Sequence, residues 1–240
     1  MRVILVGACG RMGREIQAAL DGADAVLAAG VDILADENDR DIVRSLSAVS
    51  ADADVIMDFS RHDGTRDVCA FASEKGLPLV LGTTGQTDAE KECVTAAARK
   101  IPVFFSANMA RGVFLILDFI GRAAQKMPDA DIEIVETHHK KKTDAPSGTA
   151  REIFDVIKRA RADSKLMFDG ADAGIHSLRL GDHVGRHEVI FCTESEEITV
   201  SHTALTRRVF AEGALEAAKF IIGKPPGLYG MAALLGGGEK

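Results

Sequence analysis

The stretch MRVILVGACGRMG at the start of the chain constrains the fold more than any other. An apolar run, Arg2 to Val6, passes into Gly7, Gly10 and Gly13 and then into a segment whose Ile16 and Leu20 share one helical face. A strand apolar on both sides belongs in a parallel sheet covered on both faces. The glycines have distinct uses in such a strand-turn-helix unit. Gly7 allows the tight turn, Gly10 lets a pyrophosphate approach the backbone, and Gly13 lets helix and strand pack closely, with the helix N-terminus facing the anion. The spacing is GxxGxxG rather than GxGxxG, so the structural context carries the dinucleotide reading.

The pattern repeats. Strands are predicted over Ala25 to Val31, Asp54 to Met57, Leu77 to Leu81 and Ile101 to Phe105, with helices over Arg14 to Leu20, Thr65 to Lys75 and Thr87 to Lys100. This is a doubly wound α/β arrangement. Asp32 ends the second strand, where a carboxylate accepts the adenosine ribose hydroxyls, and Ile33 follows it in place of a cation for a 2'-phosphate. Arg11 or Arg14 could still supply that cation. The turn Asp58-Phe59-Ser60 and the GTTG of Gly82 to Gly85 lie at the ends of later strands, the edge where open α/β sheets bind ligands.

After Asn108 the pattern changes. A long helix is predicted from Ala110 to Met127, and then Asp131 to Thr137 alternates apolar and polar residues, Ile132, Ile134 and the smaller Thr137 interrupted by Glu133 and Glu136, as a sheet with one wet face does. A helix from Thr149 to about Arg161 precedes strands at Gly174 to Leu180, His187 to Cys192 and Glu197 to His202, whose short links require a largely antiparallel sheet. A last helix spans Ala204 to Ile222. The expected organisation is a dinucleotide-binding domain at 1–108, completed by 223–240, and an α+β domain on a mixed, largely antiparallel sheet at 109–222 for substrate binding and oligomerisation.

Composition narrows the function. The formal charge is -7, which argues against a nucleic-acid partner. No apolar run reaches membrane-spanning length, and Gly-Arg-Met-Gly-Arg-Glu interrupts the N-terminal one where a signal peptide would continue, so a cytoplasmic protein without a membrane partner is expected. Cys9, Cys69, Cys93 and Cys192 are scattered without a CxxC pair.

Against this acidic background, THHKKKTDAPSGTA at Thr137 to Ala150 concentrates positive charge. Ser147 or Thr149 can cap the following helix, and the N–H groups of its first turn form a nest for an anion. Adjacent histidines on a strand end point to opposite faces, and Glu136 and Asp144 do not complete a ligand spacing, so no metal site is expected. An anionic substrate beside a nicotinamide, with a histidine as proton source, outlines a reductase.

These segments together resemble the dihydrodipicolinate reductase family, also called 4-hydroxy-tetrahydrodipicolinate reductase, of lysine and diaminopimelate synthesis. The resemblance rests on VGACGRMG, MDFS at Met57 to Ser60, LGTTG at Leu81 to Gly85, HHKKKTDAPSGTA at His138 to Ala150, HSLRLGDHVGRHEVIF at His176 to Phe191, and GLYGM near the end. Ser106 to Val113, SANMARGV, departs from the usual Asn-Phe-Ser-Val-Gly but keeps Asn108 and Gly112. The resemblance implies hydride transfer from NADH or NADPH to C4 of the dehydrated dicarboxylate substrate. It implies His138 as proton donor, Lys142 as partner of a carboxylate and of the developing ring charge, and His139, Lys142, Gly148 and Thr149 as the cradle. Cofactor contacts are implied at Gly7, Gly10, Arg11, Met12, Gly13, Asp32, Gly82, Thr83, Thr84, Ser106, Asn108 and Met109, and the assembly implied is a homotetramer. Another NAD(P)-dependent dehydrogenase of similar layout, or a non-catalytic NAD(H) sensor, would share part of this pattern.

Overall fold

The computed structural model describes residues 1–36, 38–39, 41–163 and 173–236. In chain order the strands are β1 (Arg2–Val6), β2 (Val26–Val31), β3 (Ile42–Val43), β4 (Val55–Asp58), β5 (Leu79–Leu81), β6 (Pro102–Phe105), β7 (Asp131–His138), β8 (Ala173–Arg179), β9 (Gly185–Cys192), β10 (Glu197–Ala204) and β11 (Gly227–Tyr229). The helices are α1 (Arg11–Leu20), α2 (Thr65–Lys75), α3 (Asp88–Ala98), α4 (Arg111–Lys126), α5 (Gly148–Asp163), α6 (Arg208–Ile221) and α7 (Met231–Leu234). The chain forms two compact units, Met1–Ala110 with Arg207–Lys240, and Arg111–Thr206.

The first unit is built on a parallel sheet of order β11-β6-β5-β4-β1-β2-β3. Its central strands carry almost only aliphatic side chains, and Val3, Ile4, Leu5, Val55, Ile56 and Met57 are buried, as a sheet covered by helices on both faces requires. The chain reverses direction across the sheet at β1, so a crevice opens between the carboxyl ends of β1 and β4. Helix α3 starts on a capping box, in which the Thr87 hydroxyl accepts from the Glu90 N–H and the Glu90 carboxylate accepts from the Thr87 N–H at 2.7 Å. The tail returns to this unit as β11, paired in parallel with β6. Of the 223–240 segment expected to complete the domain, 237–240 lie outside the described residues.

Three boundaries differ from expectation. Helix α1 begins at Arg11, directly after the extended N-cap Gly10, so Arg11, Met12 and Gly13 form its first turn. Strand β10 continues to Ala204, held by pairing with Gly185 of β9, and delays the last helix to Arg208. That helix, α6, was expected in the second domain and instead packs in the first unit, against α1, β5 and β6. The close approach of Gly213 explains part of this fit: a Cβ there would lie 1.8 Å from the Met109 carbonyl oxygen.

The second unit carries a four-stranded sheet of order β10-β9-β7-β8. Strand β7 pairs in parallel with β8, through the crossover that contains α5, and antiparallel with β9, which in turn pairs antiparallel with β10. Strands β8 and β9 are joined by a short link but are not neighbours. The link passes over the end of β7, where Leu180 N–H donates to the His138 carbonyl at 2.8 Å and Lys140 N–H to the Gly181 carbonyl at 3.2 Å. Helix α4 packs against α5 and β10, and α5 against β7. The inward phase of β7 is Ile132, Ile134, Glu136 and His138, all buried. Glu136 therefore lies on the core side, not at the wet position the alternation suggested. Among the described residues no helix is long and apolar enough to cross a membrane.

Candidate active site

In the first unit the glycine turn is shaped by the absence of side chains. Gly7 has φ 82°, and a Cβ on it would lie 2.6 Å from the Phe59 carbonyl oxygen at the end of β4. A Cβ on Gly13 would meet the Gly7 carbonyl oxygen at 2.2 Å, and one on Gly10 at 3.1 Å. No side chain caps α1, which leaves the start of the helix facing outward. This bare cradle fits the pyrophosphate of a dinucleotide. Asp32 stands beside it, its carboxylate accepting from Cys9 N–H and Leu34 N–H, each at 2.9 Å, so the turn and the strand end are fixed to one another. Gln17, which the sequence reading did not single out, donates to the Ala8 carbonyl at 2.8 Å and braces the same turn.

The later loops converge on buried Asp58. Its carbonyl accepts from Gly82 N–H at 2.9 Å and from Thr83 N–H at 3.2 Å, while its carboxylate accepts from the Ser60 hydroxyl at 2.5 Å. Burial pushes the Asp58 carboxyl above its ordinary range, against the lowering effect of Ser60 and Thr83. Gly82 leaves room for the Phe59 ring, which a Cβ would meet at 2.2 Å. Thr83 is buried, whereas Thr84, Arg11 and Asn108's neighbour Ala107 are exposed and Met12, Ser106 and Asn108 half-buried. Ser106 donates its hydroxyl to the Asn108 carbonyl at 2.6 Å, and Asn108 accepts from Ala110 N–H at 2.9 Å. Met109, 2 % exposed, is a core residue against α6.

The second unit assembles a different set. His138 is the last residue of β7, in register with Arg179 of β8. Its Nδ1 bonds the Oε2 of Glu136. The other oxygen of that carboxylate accepts from Arg179 Nη2 at 2.8 Å and from Ser147 N–H at 3.3 Å. Arg179 also donates to the Asp144 carbonyl at 2.6 Å and so holds the Asp-Ala-Pro-Ser turn. Burial alone would raise the Glu136 carboxyl, but Arg179, Ser177 and the neighbouring His138 outweigh it and hold it at about 2. For His138 burial lowers the pKa, assisted by Lys142 and Arg179 and opposed by Glu136. His187 faces it with ring centroids 5.2 Å apart, and its pKa is brought down to about 4, first by burial and then by His138.

Ser147 caps α5: its hydroxyl accepts from Ala150 N–H at 3.2 Å, and Gly148 and Thr149 open the first turn. A Cβ on Gly148 would meet nothing within 4 Å, so space lies open before this helix start. Lys142 is half-buried and pairs with the Asp144 carboxylate at 2.8 Å, whereas Lys140 and Lys141 are exposed; His139 is half-buried beside them. Glu136, His138 and His187 offer ligand atoms within 4.8 Å of one another. Both Glu136 oxygens are already committed to Nδ1–H, guanidinium and backbone donors, and Arg179 and Lys142 add positive charge, so this donor set suits proton handling better than a dication. Glu136, Arg179, His187 and the tie through Ser147 were not among the site residues expected from the sequence. A charged residue in the inward phase of an otherwise aliphatic strand was the available signal for Glu136.

A parallel sheet with a side-chain-free turn at its switch point holds dinucleotides, and a buried imidazole next to an open, cationic helix start handles protons and carboxylates. These features define an NAD(P)H-dependent oxidoreductase. Family models bear this out: residues 1–109 match the N-terminal domain of dihydrodipicolinate reductase and residues 112–235 match its C-terminal domain. The chain belongs to the dihydrodipicolinate reductase family and carries out a reduction step of lysine and diaminopimelate biosynthesis with NAD(P)H. It is 39% identical to 4-hydroxy-tetrahydrodipicolinate reductase of Caldanaerobacter subterraneus subsp. tengcongensis over 98% of both chains. It is likewise 39% identical to that of Clostridium tetani, over 98% of this chain and 97% of the relative. A dipicolinate-bound dihydrodipicolinate reductase from Paenisporosarcina sp. TG-14 has the same fold, with TM-score 0.79 and 25% identity, covering 96% of this chain and 97% of that one.

Proposed function

We propose that His138 is the proton donor of this reduction and that Lys142, His139, Gly148 and Thr149 receive the substrate carboxylates. A reduced dinucleotide, when bound at the glycine turn with Asp32, Arg11, Met12, Gly82, Thr83, Thr84, Ser106 and Asn108 around it, supplies the hydride. The observation that carries the reading is the buried His138, held through Nδ1 by an ionised carboxylate next to an unobstructed helix start. Lys142 must exchange its Asp144 partner for a substrate carboxylate, and its charge then offsets the negative charge that the hydride brings into the ring. Gly148 and Thr149 contribute the positive end of α5. The substrate is the dehydrated form of 4-hydroxy-tetrahydrodipicolinate, a dianion, and the cationic loop of an acidic protein is matched to it. Dipicolinate, named as bound in the Paenisporosarcina relative, has the same pair of carboxylates and should compete for the site.

The decisive assay follows NADH oxidation with freshly generated 4-hydroxy-tetrahydrodipicolinate. Removing the imidazole in H138A should lower kcat by the 10²- to 10⁴-fold typical of a general acid, with a smaller effect on substrate binding. Turnover near wild type in H138A, with the fold intact by circular dichroism, would dismiss the proton-donor assignment.

The working form proposed is a cytoplasmic homotetramer joined through the second unit. This rests on the family, and the half-buried Val135 and Ile190 and exposed Leu178 on the outward phase of the sheet are compatible with it. Polar pairs, Arg186 with Glu188 and His176 with Glu133, share that phase, so the surface is mixed rather than wholly apolar. Light scattering across micromolar concentrations distinguishes tetramer from monomer.

A further inference from the structure

We propose that Glu136 is the positioning residue of the reduction: it keeps His138 protonated at Nδ1, presents Nε2 as the atom that delivers the proton, and ties that atom to the helix start that receives the substrate. The inference deepens the proton-donor reading of His138 and rests on it.

Glu136 and His138 are two apart on β7 and therefore project from the same face. The face is the covered one, and Glu136 is fully buried. A buried carboxylate is tolerated only when its lone pairs are matched by donors. Here Oε1 accepts from Arg179 Nη2 at 2.8 Å and from Ser147 N–H at 3.3 Å, which leaves Oε2 for the imidazole. An ionised carboxylate has no proton to give, so the Glu136–His138 bond requires Nδ1 to be the donor in both the neutral and the charged imidazole. Proton exchange is thereby confined to Nε2. On that side stands Gly185, where a Cβ would come within 3.1 Å of Nε2. A side chain there would press on the atom that must reach the substrate.

The second half of the proposal concerns Ser147. Its N–H is held by the same carboxylate, and its hydroxyl caps α5 through Ala150 N–H at 3.2 Å. One buried group thus sets the proton donor and the start of the substrate-binding helix in a common frame. Arg179 extends the frame, at 2.6 Å, to the carbonyl of Asp144, the first residue of the turn that leads into the helix. In the proton step the Nε2–H bond breaks as a proton bond to the substrate forms. The imidazolium becomes imidazole, still donating from Nδ1, and Glu136 remains ionised throughout.

The test compares E136Q with E136D and H138Q. Gln keeps an acceptor for Arg179 and Ser147 but turns an amide N–H toward Nδ1, which favours the wrong tautomer. E136Q should lose about 10²- to 10⁴-fold in kcat, the range spanned by a misplaced tautomer and a lost general acid. Its NADH dissociation constant should stay within about twofold of wild type, because that site belongs to the first unit. Loss of the anion also removes what raises the His138 pKa, so the alkaline fall of kcat/KM should move to lower pH. E136D, which restores the charge, should recover at least part of the rate and of the pH profile. E136Q turnover within about threefold of wild type with an unmoved profile, alongside an inactive H138Q, would overturn the positioning role alone. An active H138Q would overturn the proton-donor reading and this inference with it. Should E136Q fail to fold, imidazole nitrogen NMR of the wild-type protein still decides: neutral His138 is expected as the Nδ1–H tautomer, and the Nε2–H tautomer would refute the proposal.

Discussion

The hydroxyl of Ser147 lies 3.1 Å from Nε2 of His187 while accepting the N–H of Ala150 at 3.2 Å. A hydroxyl has one hydrogen and two lone pairs, so beside the helix N–H it can donate to a bare Nε2 or accept from Nε2–H, the roles following the His187 tautomer. Burial brings the His187 pKa down to about 4 and so keeps the ring neutral near pH 7. The cap of α5 thus rests against a buried histidine two strands away in sequence.

Acid should loosen this unit before it affects isolated carboxylates. The folded-state pKa of His187 is about 4, below the ordinary value of 6.5. A depressed histidine pKa means that the unfolded chain binds more protons in between, so the contribution is complete above about pH 6.5 and is lost progressively as pH falls toward about 4. Full loss is on the order of 3 kcal/mol. Thermal melting between pH 7 and 4.5 should show a falling Tm in wild type and a shallower fall in H187Q. Parallel curves would remove His187 as the source.

The lysines of the basic loop should separate in an alanine scan. Lys142 is half-buried and ion-paired, Lys140 and Lys141 exposed. K142A is expected to lower kcat/KM by about 30-fold to several thousandfold, the 2 to 5 kcal/mol usual for a lost charge partner. K140A and K141A should stay within about threefold, since solvated surface charges contribute little. NADH affinity should be close to normal in all of these variants. Equal effects at the three positions would mean that the loop acts only as diffuse charge.

Cofactor choice should not strongly favour NADPH. The Asp32 carboxylate is pinned at the strand end by Cys9 and Leu34 N–H groups and cannot swing away from a 2'-phosphate, and Ile33 beside it is 76% exposed. Measured at equal salt, kcat/KM with NADH should at least match that with NADPH. A preference for NADPH above about tenfold, worth about 1.4 kcal/mol, would show that exposed Arg11 or Arg14 outweighs Asp32.

Gly13 should tolerate no side chain. A Cβ would sit 2.2 Å from the Gly7 carbonyl oxygen and 2.6 Å from that of Ala8, both backbone atoms that cannot rotate aside. G13A is expected to destabilise the first unit by about 1 to 3 kcal/mol, the usual cost of overpacking, and to weaken NADH binding as the turn opens. Wild-type Tm and NADH affinity in G13A would show that the turn yields more easily than its geometry implies.

The sequence by itself determined the parallel sheet, the glycine turn and the cationic helix start, because these are local: apolar runs, small residues between a strand and a helix, and a capping hydroxyl at Ser147 or Thr149 all act over a few positions. It was misleading at Glu136, where alternation counted a carboxylate as solvent-facing. Only the tertiary structure decided otherwise, because Arg179 arrives from β8 and Ser147 from across the turn to satisfy a charge that burial alone would reject. The placement of α6 is of the same kind. Its sequence specifies an amphipathic helix, but the unit it joins depends on whether Gly213 meets the Met109 backbone, a contact between residues far apart in the chain. Local patterning chooses elements, and long-range complementarity of charge and shape chooses their partners.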